Sequence, residues 1–463
     1  MSGPSHASGA GTPEEVDWQG ESVTIADVLG ALNRARRKFA QVEAGDEEHP
    51  HPRNCVMTLV AVVPDANEEK RAIKTVTEIS QHHPCLAIVV RDQPQIRAGR
   101  IDSTVSAHPV QGPLDTPAPC ELVTLHVHGA AGSHLAALVD PLLVSGVPTY
   151  LWWPSTPPFG TGELTDALRI CDALVVDSAR FDRPYHSFLG LAELADRSHR
   201  KLGVADLQWE RLLPWRETAA QFFAPSERRG LIQSISEVGI DYAGDGRGNR
   251  IAAALMVSWF STALGWKLEH AAAGGGGVVA ALFKADGWRP VQVAFRSMQR
   301  GQLAQGEISA LRIVGTAGGK SFSLTVQRDP QRARPPQAGE FQRLHPTGGE
   351  DDAAMEIAQR KAARHREVVS QNLESLHHTS TGEAPGESVP QQPRVMVRER
   401  RRADTSEVML TMIDLGDGDT LRHVQRVPPL DESTMLLNVL SAGARDLVYA
   451  RSLAAAAELM HKL

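Results

Sequence analysis

Residues 54–90, NCVMTLVAVVPDANEEKRAIKTVTEISQHHPCLAIVV, contain two apolar runs of strand length on either side of a helical pattern. The first run covers residues 54–63, the helical pattern covers 66–83, and the second run covers 85–90. A strand, a helix and a strand over about forty residues is the length of a βαβ unit. Nearly continuous apolar strands are typical of strands buried on both faces. These residues therefore predict the start of a parallel sheet.

The same alternation continues towards residue 200. Apolar runs recur at 120–129, 147–153 and 173–177, and helical patterns recur at 133–144, 163–170 and 187–201. Pro141 is expected to disturb the last turns of the 133–144 helix. Alternating strands and helices predict an open, doubly wound α/β domain over roughly residues 50–200.

The pattern changes to α+β after residue 203. Residues 206–223 predict a helical connector broken at Pro214, and residues 250–266 predict an apolar helix. Hairpin turns are predicted at Asp286–Gly287 and within GTAGGKS (315–321). Residues 434–463 are expected to be helical, with a break at Gly443.

The fold class that follows is α/β, with an N-terminal doubly wound, mostly parallel sheet and a C-terminal α+β domain. Five regions are predicted: an N-terminal tail and helix (1–49), the α/β domain (50–203), the α+β domain (204–330), a charged helix with a flexible linker (331–392), and strands with a terminal helix that complete the C-terminal domain (393–463).

Composition excludes several classes of protein. The chain has 463 residues, a net charge of −7 and 22% charged residues, so it lacks the basic excess of a nucleic-acid-binding protein. No stretch approaches the roughly 20 apolar residues of a membrane span. The N-terminus lacks the pattern of a secretory signal. Four cysteines without CxxC spacing argue against a disulfide scaffold, and the expected location is a reducing cytoplasm.

Motifs for cofactors and metals are weak. GTAGGKS (315–321) departs from the spacing of a phosphate-binding loop and leads into a strand, so we interpret it as a turn. No GxGxxG follows a predicted strand, and no cofactor is expected. His126 and His128 point to one face of a strand, which is compatible with a metal site, but no third ligand is evident.

Catalytic motifs are also lacking. The sequence contains no GxSxG or HExxH motif. Asp172, Asp177 and Glu121 lie at strand ends, where we expect solvated carboxylates. No residue is assigned a catalytic role.

Three cysteines are candidates for redox control. Cys55, Cys85 and Cys120 each open a predicted strand, and strands that start at one edge of a parallel sheet could bring their thiols together. The alternative is that they are small buried hydrophobic residues.

Tryptophan and arginine form the remaining constellation. It comprises Trp152, Trp153, Trp209, Arg211, Trp215 and Arg216. Both residue types are frequent hot spots of protein interfaces, which makes these positions candidates for binding a partner. The alternative is packing. Because neighbouring strand residues face opposite ways, we expect one of Trp152 and Trp153 in the core and the other freer at the sheet edge.

Several of these segments together resemble the OpcA family of glucose-6-phosphate dehydrogenase assembly proteins. They are CELVTLHVHG (120–129), LAALVDPLLVSGVPTYLWWPSTPP (135–158), DLQWERLLPWRETAAQFF (206–223) and LLNVLSAGARDLVYARSLAAAAEL (436–459). Residues 54–90 are also similar to the N-terminal domain of that family. The segment at about 330–400 departs from shorter relatives.

The resemblance implies a non-catalytic, allosteric accessory protein. Such a protein binds glucose-6-phosphate dehydrogenase, promotes its active oligomer, and supports NADPH production in the oxidative pentose phosphate pathway. The alternative hypothesis is a sugar-phosphate-binding enzyme of the same pathway, a lactonase-like hydrolase, because open α/β sheets usually bind ligands at the carboxyl ends of their strands.

Overall fold

A computed structural model describes most of the chain outside the N-terminus and the 329–406 region. The described residues are 16–44, 55–96, 99–111, 117–198, 201–244, 248–274, 277–299, 303–328, 407–416, 420–427 and 430–463. They fall into two compact units. Unit 1 comprises Met1–Arg216, Asn249–Gly265 and Leu430–Lys462, and unit 2 comprises Glu217–Gly248, Trp266–Pro429 and Leu463.

Unit 1 is built on an eight-stranded sheet. Its strands are β1 (Val16–Gly20), β2 (Met57–Val63), β3 (Cys85–Gln93), β4 (Arg100–Gln111), β5 (Pro117–His128), β6 (Thr149–Trp153), β7 (Ala173–Val176) and β8 (Gly203–Asp206). Their order across the sheet is β1-β4-β5-β3-β2-β6-β7-β8. Six neighbouring strands of this sheet run parallel, namely β5, β3, β2, β6, β7 and β8. At one edge, β4 and β1 add antiparallel strands.

Five of the six parallel strands agree with the apolar runs that predicted them. Every residue of β2, β6 and β7 is buried, because both faces of these central strands are covered. No apolar run predicted β1, β4 or the short β8. β4 alternates polar and apolar residues over much of its length and contains a proline, so it lacks a continuous apolar run.

Helices follow most of these strands. In chain order they are α1 (Ile25–Ala44), α2 (Ala66–Ser80), α3 (Leu135–Val139), α4 (Gly162–Ala167), α5 (Pro184–Arg197), α6 (Leu207–Arg211), α7 (Leu213–Phe223), α8 (Ser226–Arg229), α9 (Ile251–Leu264), α10 (Glu432–Ser441) and α11 (Leu447–His461). The division between the units falls within α7. As predicted, Pro141 lies in a 3₁₀ turn that ends the α3 segment.

One face of the sheet in unit 1 packs against α2 and α10. The shared core contains Leu59 and Val89 from the sheet, Val76 from α2, and Leu436 and Val439 from α10. Each of these side chains is at most 4% exposed. Burial of one such aliphatic side chain contributes about 1.5–3 kcal/mol, so this layer holds α10 to the sheet.

The terminal helices α10 and α11 group with unit 1. The reason is the apolar layer just described, together with the packing of α11 on α5 and α9. That strands and a terminal helix over residues 393–463 complete the C-terminal domain stays a prediction. The predicted break at Gly443 is confirmed, because it separates α10 from α11.

Unit 2 contains a second eight-stranded sheet. Its strands are β9 (Ile235–Ala243), β10 (Lys267–Ala273), β11 (Val279–Lys284), β12 (Pro290–Met298), β13 (Ile308–Ala317), β14 (Lys320–Arg328), β15 (Glu407–Asp414) and β16 (Thr420–Val427). The order is β10-β11-β12-β9-β13-β14-β15-β16. Only the pair β9 and β12 is parallel among these neighbours. The prediction of a mixed α/β chain is confirmed, and each unit contains a multistranded sheet.

Both predicted hairpins of unit 2 are present. β11 and β12 pair antiparallel across Asp286–Gly287. β13 and β14 pair from Ala317 and Lys320 outwards. Gly318 and Gly319 connect this second pair with φ values of 58° and 82°, a backbone conformation that favours glycine. The interpretation of residues 315–321 as a turn is therefore confirmed.

The predicted charged helix and linker at 331–392 lie outside the described residues, as do residues 393–406.

Candidate partner-binding region

The segment rich in tryptophan and arginine begins where β8 ends. The Asp206 carboxylate accepts a hydrogen bond from the backbone nitrogen of Gln208 at 2.9 Å and thereby caps α6. α6 ends at Arg211, and Pro214 lies in the first turn of α7. A proline is tolerated there because the first backbone N–H groups of a helix have no intrahelical acceptor. The predicted helix break at Pro214 is confirmed.

Trp209 is fixed on three sides within unit 1. Its indole is 3% exposed. The indole Nε1 donates a hydrogen bond to Oδ2 of Asp446 at 2.8 Å. The guanidinium carbon of Arg216 lies 3.6 Å from the centroid of the indole, in cation–π geometry. The Tyr449 ring lies 5.6 Å away, centroid to centroid. These contacts join the segment to the start of α11.

The two neighbouring residues Trp215 and Arg216 are also held inside unit 1. Trp215 is 1% exposed, which makes it one of the largest fully buried side chains of the described residues. Arg216 donates a hydrogen bond to the carbonyl oxygen of Trp209 at 3.1 Å, in addition to stacking on its ring. Both residues therefore stabilise the α6–α7 connection.

Arg211 forms a two-pronged ion pair. Its guanidinium donates to both carboxylate oxygens of Asp177, at 2.6 and 2.7 Å. Asp177 has no exposed surface, and Glu121, 4% exposed, is held in the same way by Arg36. The expectation of solvated carboxylates is therefore wrong for Asp177 and Glu121, because each lies at a covered part of the sheet and pairs with an arginine. It is correct for Asp172, which is exposed.

A buried hydrogen-bonded network adjoins this ion pair. Oδ1 of Asp206 accepts from the Ser178 backbone nitrogen at 2.9 Å, and Oδ2 accepts from the Ser178 hydroxyl at 2.5 Å. The Tyr449 hydroxyl donates to Oδ2 at 3.4 Å, and Asn249 donates to the Ser178 carbonyl oxygen at 2.8 Å. Burial raises the pKa of Asp206 to about 6, although the hydrogen bonds from Ser178 oppose this shift. The same burial raises the pKa of Tyr449 well above its usual value.

Trp152 and Trp153 lie on β6, between β2 and β7. Trp152 has no exposed surface and belongs to the layer that packs on α2 and α10. Trp153 is 6% exposed. The expectation that one of the two indoles is freer is therefore wrong, because every residue of this central strand is buried. The Nε1 of Trp152 has no hydrogen-bond acceptor among the described residues.

All four candidate indoles are thus packed inside unit 1, and the two arginines bind internal partners. Packing accounts for the observed contacts of the whole constellation. A role of these six residues in binding a partner stays a prediction. Asp446 was not among the predicted site residues, although an aspartate directly before a helical run is a recognisable cap signal.

The start of α2 lies at the carboxyl edge of the sheet, next to the end of β2. In dinucleotide-binding sheets with this strand order, the helix after the first strand faces the pyrophosphate. Here the Asp65 carboxylate accepts from the backbone nitrogens of Asn67 and Glu68, at 2.7 and 3.0 Å. Glu68 and Glu69 add two carboxylates in the first turn. The backbone donors of this helix start are already bound to Asp65, and the local charge is negative. Both features disfavour a phosphate at this position.

Cations from α2 itself and from neighbouring elements neutralise Glu68 and Glu69. Glu68 pairs with Arg180 at 2.7 Å and with Arg71 at 3.0 Å. Glu69 pairs with Arg91 at 2.6 Å and with His126 at 2.5 Å. Burial pushes the pKa of Glu69 up, but the hydrogen bonds and charges of His126 and Arg91 outweigh it and hold that pKa below its usual value.

The two histidines considered for a metal site each have a carboxylate partner. His126 binds Glu69, and His128 binds Asp102 at 3.0 Å. No group of three or more His, Cys, Asp or Glu side chains with metal-binding geometry occurs in the described part of the chain. Ion pairing accounts for both histidines.

Three cysteines come together at the amino edge of the sheet. Cys85 on β3 lies beside Met57 on β2, and Met57 follows Cys55 by two residues. On the other side of β3, Cys85 and Cys120 each directly precede the first residue pair of β3 and β5. Cys85 and Cys120 are each 1% exposed. Burial, with a smaller effect of the neighbouring thiols, raises the pKa of Cys85 well above its usual value. A protonated, buried thiol reacts poorly, and redox control by these residues stays a prediction.

Comparison with known protein families assigns most of the chain. Residues 202–453 match the OpcA model for the C-terminal domain of a "Glucose-6-phosphate dehydrogenase subunit". Residues 76–193 match the OpcA model for the N-terminal domain that carries the same description. The chain belongs to the OpcA family. Within the described residues, none of the helices has the length and apolar character needed to cross a bilayer.

Curated OpcA proteins of cyanobacteria are similar to part of this OpcA-family chain. The protein of Nostoc punctiforme is 34% identical over 148 residues, which is 32% of this chain and 30% of the relative. That of Synechococcus elongatus is 31% identical over 198 residues, 42% of this chain and 43% of the relative. Both are named "Putative OxPP cycle protein OpcA". The matched regions thus span less than half of these relatives.

Solved structures resemble the OpcA-family chain only distantly. A "probable oxidoreductase yhhX" has a TM-score of 0.42 at 10% identity, over 88% of this chain and 96% of that one. The 3-ketoreductase KijD10 of Actinomadura kijaniata has a TM-score of 0.41 at 10% identity, over 88% and 96%. Both names denote oxidoreductases, and at this level of similarity they carry no information on function.

Proposed function

We propose that this chain is a non-catalytic assembly factor and allosteric activator of glucose-6-phosphate dehydrogenase. It binds the enzyme, promotes its active oligomer, and supports NADPH production in the cytoplasm through the oxidative pentose phosphate pathway. The observation that carries the proposal is membership of a family whose two models, both described as domains of a glucose-6-phosphate dehydrogenase subunit, match residues 76–193 and 202–453.

The carboxyl edge of the sheet in unit 1 supports a role without cofactor chemistry. Asp65 takes up backbone donors at the start of α2, and Glu68 and Glu69 place negative charge there. Arginines and a histidine of the chain neutralise that charge internally. The start of α2 is therefore occupied by internal hydrogen bonds and ion pairs, whereas a phosphate-binding helix start needs available donors and a positive potential.

The sheet itself supports the doubly wound layout as part of the proposal. The parallel strands have the order β5-β3-β2-β6-β7-β8, which corresponds to the strand order 3-2-1-4-5-6 of nucleotide-binding sheets. We infer that the chain keeps the scaffold of such a domain and uses it to hold a binding surface. An effector of this kind must prefer one state of the enzyme, and preferences of about 1–3 kcal/mol change an affinity roughly 5–150-fold.

The test is a kinetic titration. The cognate dehydrogenase is assayed for NADPH formation over a range of glucose 6-phosphate concentrations, with increasing amounts of the purified chain. The proposal predicts a saturable rise in rate at low substrate and no NADPH formation by the chain alone. Rates that stay unchanged at every ratio would contradict it. Hydrolysis of the lactone product by the chain alone would instead support the alternative, a lactonase-like hydrolase.

A further inference from the structure

A cavity of about 390 Å³ lies at the amino edge of the sheet in unit 1, beside the turn between α10 and α11. A volume of this size is in the range of small-molecule sites. Residues from three parts of the chain line it: Val147, Pro148 and Tyr150 at the start of β6, Asp172 and Ala173 at the start of β7, and Gly443 and Arg445 in the turn.

The cavity is lined by one cation and one anion that do not pair with each other. Arg445 and Asp172 are both exposed, and within the described residues neither forms an ion pair. Arg445 donates one hydrogen bond to the carbonyl oxygen of Lys201 at 3.4 Å, and one oxygen of Asp172 accepts from the Thr149 backbone nitrogen at 2.9 Å. Elsewhere in unit 1, arginines such as Arg211 pair with carboxylates. The cavity therefore offers a guanidinium and a carboxylate to a molecule that carries both charges.

Tyr150 places a hydroxyl group close to both of these charges. Burial raises the pKa of Tyr150, the Asp172 carboxylate adds to this shift, and the Arg445 guanidinium opposes it. The hydroxyl group donates to the Leu440 carbonyl oxygen at 3.4 Å. A hydroxyl oxygen that donates can also accept, so this one can receive a hydrogen bond from an ammonium group in the cavity.

The backbone fixes Arg445 in place. Gly443 and Ala444 before it have φ values of 72° and 51°, so a residue with a side chain adopts the left-handed conformation at Ala444. Such strain persists only where the surrounding structure enforces it, and it concentrates at functional sites. Ala444 is 3% exposed, and its carbonyl oxygen packs so closely on Gly203 that a Cβ there would lie 2.7 Å away. On the other side of Arg445, Asp446 caps α11.

We propose that this cavity, here called the Arg445–Asp172 site, binds an α-amino acid with an aliphatic side chain in its zwitterionic form. Arg445 pairs with the carboxylate of the ligand, and Asp172 pairs with its ammonium group. The aliphatic side chain lies against Val147, Pro148 and Ala173. A ligand with a single charge would satisfy one of the two protein charges and would lie next to the other, which has the same sign as the ligand. This inference is independent of the proposed function, because the site is complete within unit 1.

The first test compares L-leucine with two analogues that each lack one charge. L-Leucinamide keeps the ammonium group, 4-methylpentanoate keeps the carboxylate, and both keep the aliphatic side chain. Binding to the full chain is measured by isothermal titration calorimetry. We expect saturable binding of L-leucine and binding of each analogue that is weaker by about tenfold or more, because each analogue loses one charge-assisted contact.

The second test uses two variants of the site and two controls. Arg445→Gln and Asp172→Asn each remove one charge, and the asparagine keeps an oxygen that can accept from Thr149. Arg451→Gln is the matched control, because Arg451 is an exposed arginine of α11 that does not line the cavity. Leu447→Asp is the second control, because Leu447 is 58% exposed in the first turn of the same helix and also does not line the cavity. Thermal unfolding without ligand checks that each variant folds.

We expect Arg445→Gln and Asp172→Asn each to weaken L-leucine binding by about tenfold or more with thermal unfolding unchanged, and both controls to bind like wild type. A wild type that shows no saturable binding of L-leucine would overturn the inference. An analogue that binds as tightly as L-leucine would also overturn it, since it would assign the cavity to singly charged ligands. Binding that both site variants retain would place the ligand elsewhere and overturn it as well. None of these outcomes affects the proposed function, which is tested with the dehydrogenase.

Discussion

The indole nitrogen of Trp209 donates a hydrogen bond to Asp446 at 2.8 Å, across 237 residues of sequence. The other oxygen of the same carboxylate accepts from the backbone nitrogens of Val448 and Tyr449 and caps α11. One side chain therefore fixes the start of the terminal helix and anchors it to the segment after β8.

Asp446→Ala is expected to cost more stability than loss of an ordinary cap. The cap contributes about 0.5–2 kcal/mol, and a hydrogen bond to a charged acceptor adds about 1.5–3 kcal/mol. Asp431→Ala is the matched control, since Asp431 caps α10 by accepting from Thr434 but has no tryptophan partner among the described residues. Urea unfolding of both variants gives the comparison. Equal losses in the two variants would mean that the Trp209 hydrogen bond contributes nothing.

Trp215→Ala is expected to lower the free energy of unfolding by about 3–5 kcal/mol, because a fully buried indole is replaced by a cavity. Trp215→Phe retains most of the buried apolar surface and should lose clearly less. Denaturant unfolding followed by circular dichroism measures both. A loss below about 1 kcal/mol for Trp215→Ala would contradict the packing of this side chain and return it to the candidates for partner binding.

Arg211→Met should destabilise the protein by about 3–5 kcal/mol, because it leaves the buried carboxylate of Asp177 without its ion-pair partner. The control is Arg197→Met, which removes an exposed pair with Glu193 on α5 and should cost less than about 1 kcal/mol. Chemical unfolding at neutral pH distinguishes them. Similar small effects for the two variants would show that the Asp177 pair does not stabilise the fold.

Asp206 should make stability depend on pH in a defined direction. Its pKa is about 6 in the folded chain, above the ordinary value of 3.8, so the folded state binds this proton more tightly than the unfolded state. The contribution is full below about pH 4 and is lost as the pH rises through 6. A difference of this size corresponds to about 3 kcal/mol as an order of magnitude.

Asp206→Asn removes this titration while keeping an oxygen that can accept from the backbone nitrogens of Ser178 and Gln208. Urea unfolding from pH 4 to pH 7 should show the wild type losing stability relative to the variant as the pH rises. Parallel profiles of the two proteins would contradict a raised pKa at Asp206.

Short-range patterns explain what the sequence could predict. β2 and β3 form continuous apolar runs because both faces of a parallel strand are buried, and α2 shows the period of a helix packed on one side. β1, β4 and the short β8 lack such a run and were missed. The grouping of α9, α10 and α11 with unit 1 depends on contacts between distant segments, which no local period encodes.

The candidate site also combines features that the sequence predicts with features that it does not. The break at Pro214 follows from the geometry of proline and was predictable. The burial of Trp153 depends on what covers the second face of β6, and the partner of Arg211 depends on the loop after β7 that carries Asp177. Neither can be derived from residue spacing. The exposed Leu447 and Val448 look like ordinary core positions in the helical pattern until the neighbouring helices are in place.

The central claim, binding to glucose-6-phosphate dehydrogenase, is tested most directly by light scattering after size-exclusion chromatography. The purified chain, the cognate dehydrogenase and their mixture are measured at the same concentrations. We expect the mixture to contain a species with both proteins, in which the dehydrogenase is in a higher oligomeric state than when it is alone. A mixture that separates into the two proteins at their individual masses, at every ratio, would contradict it.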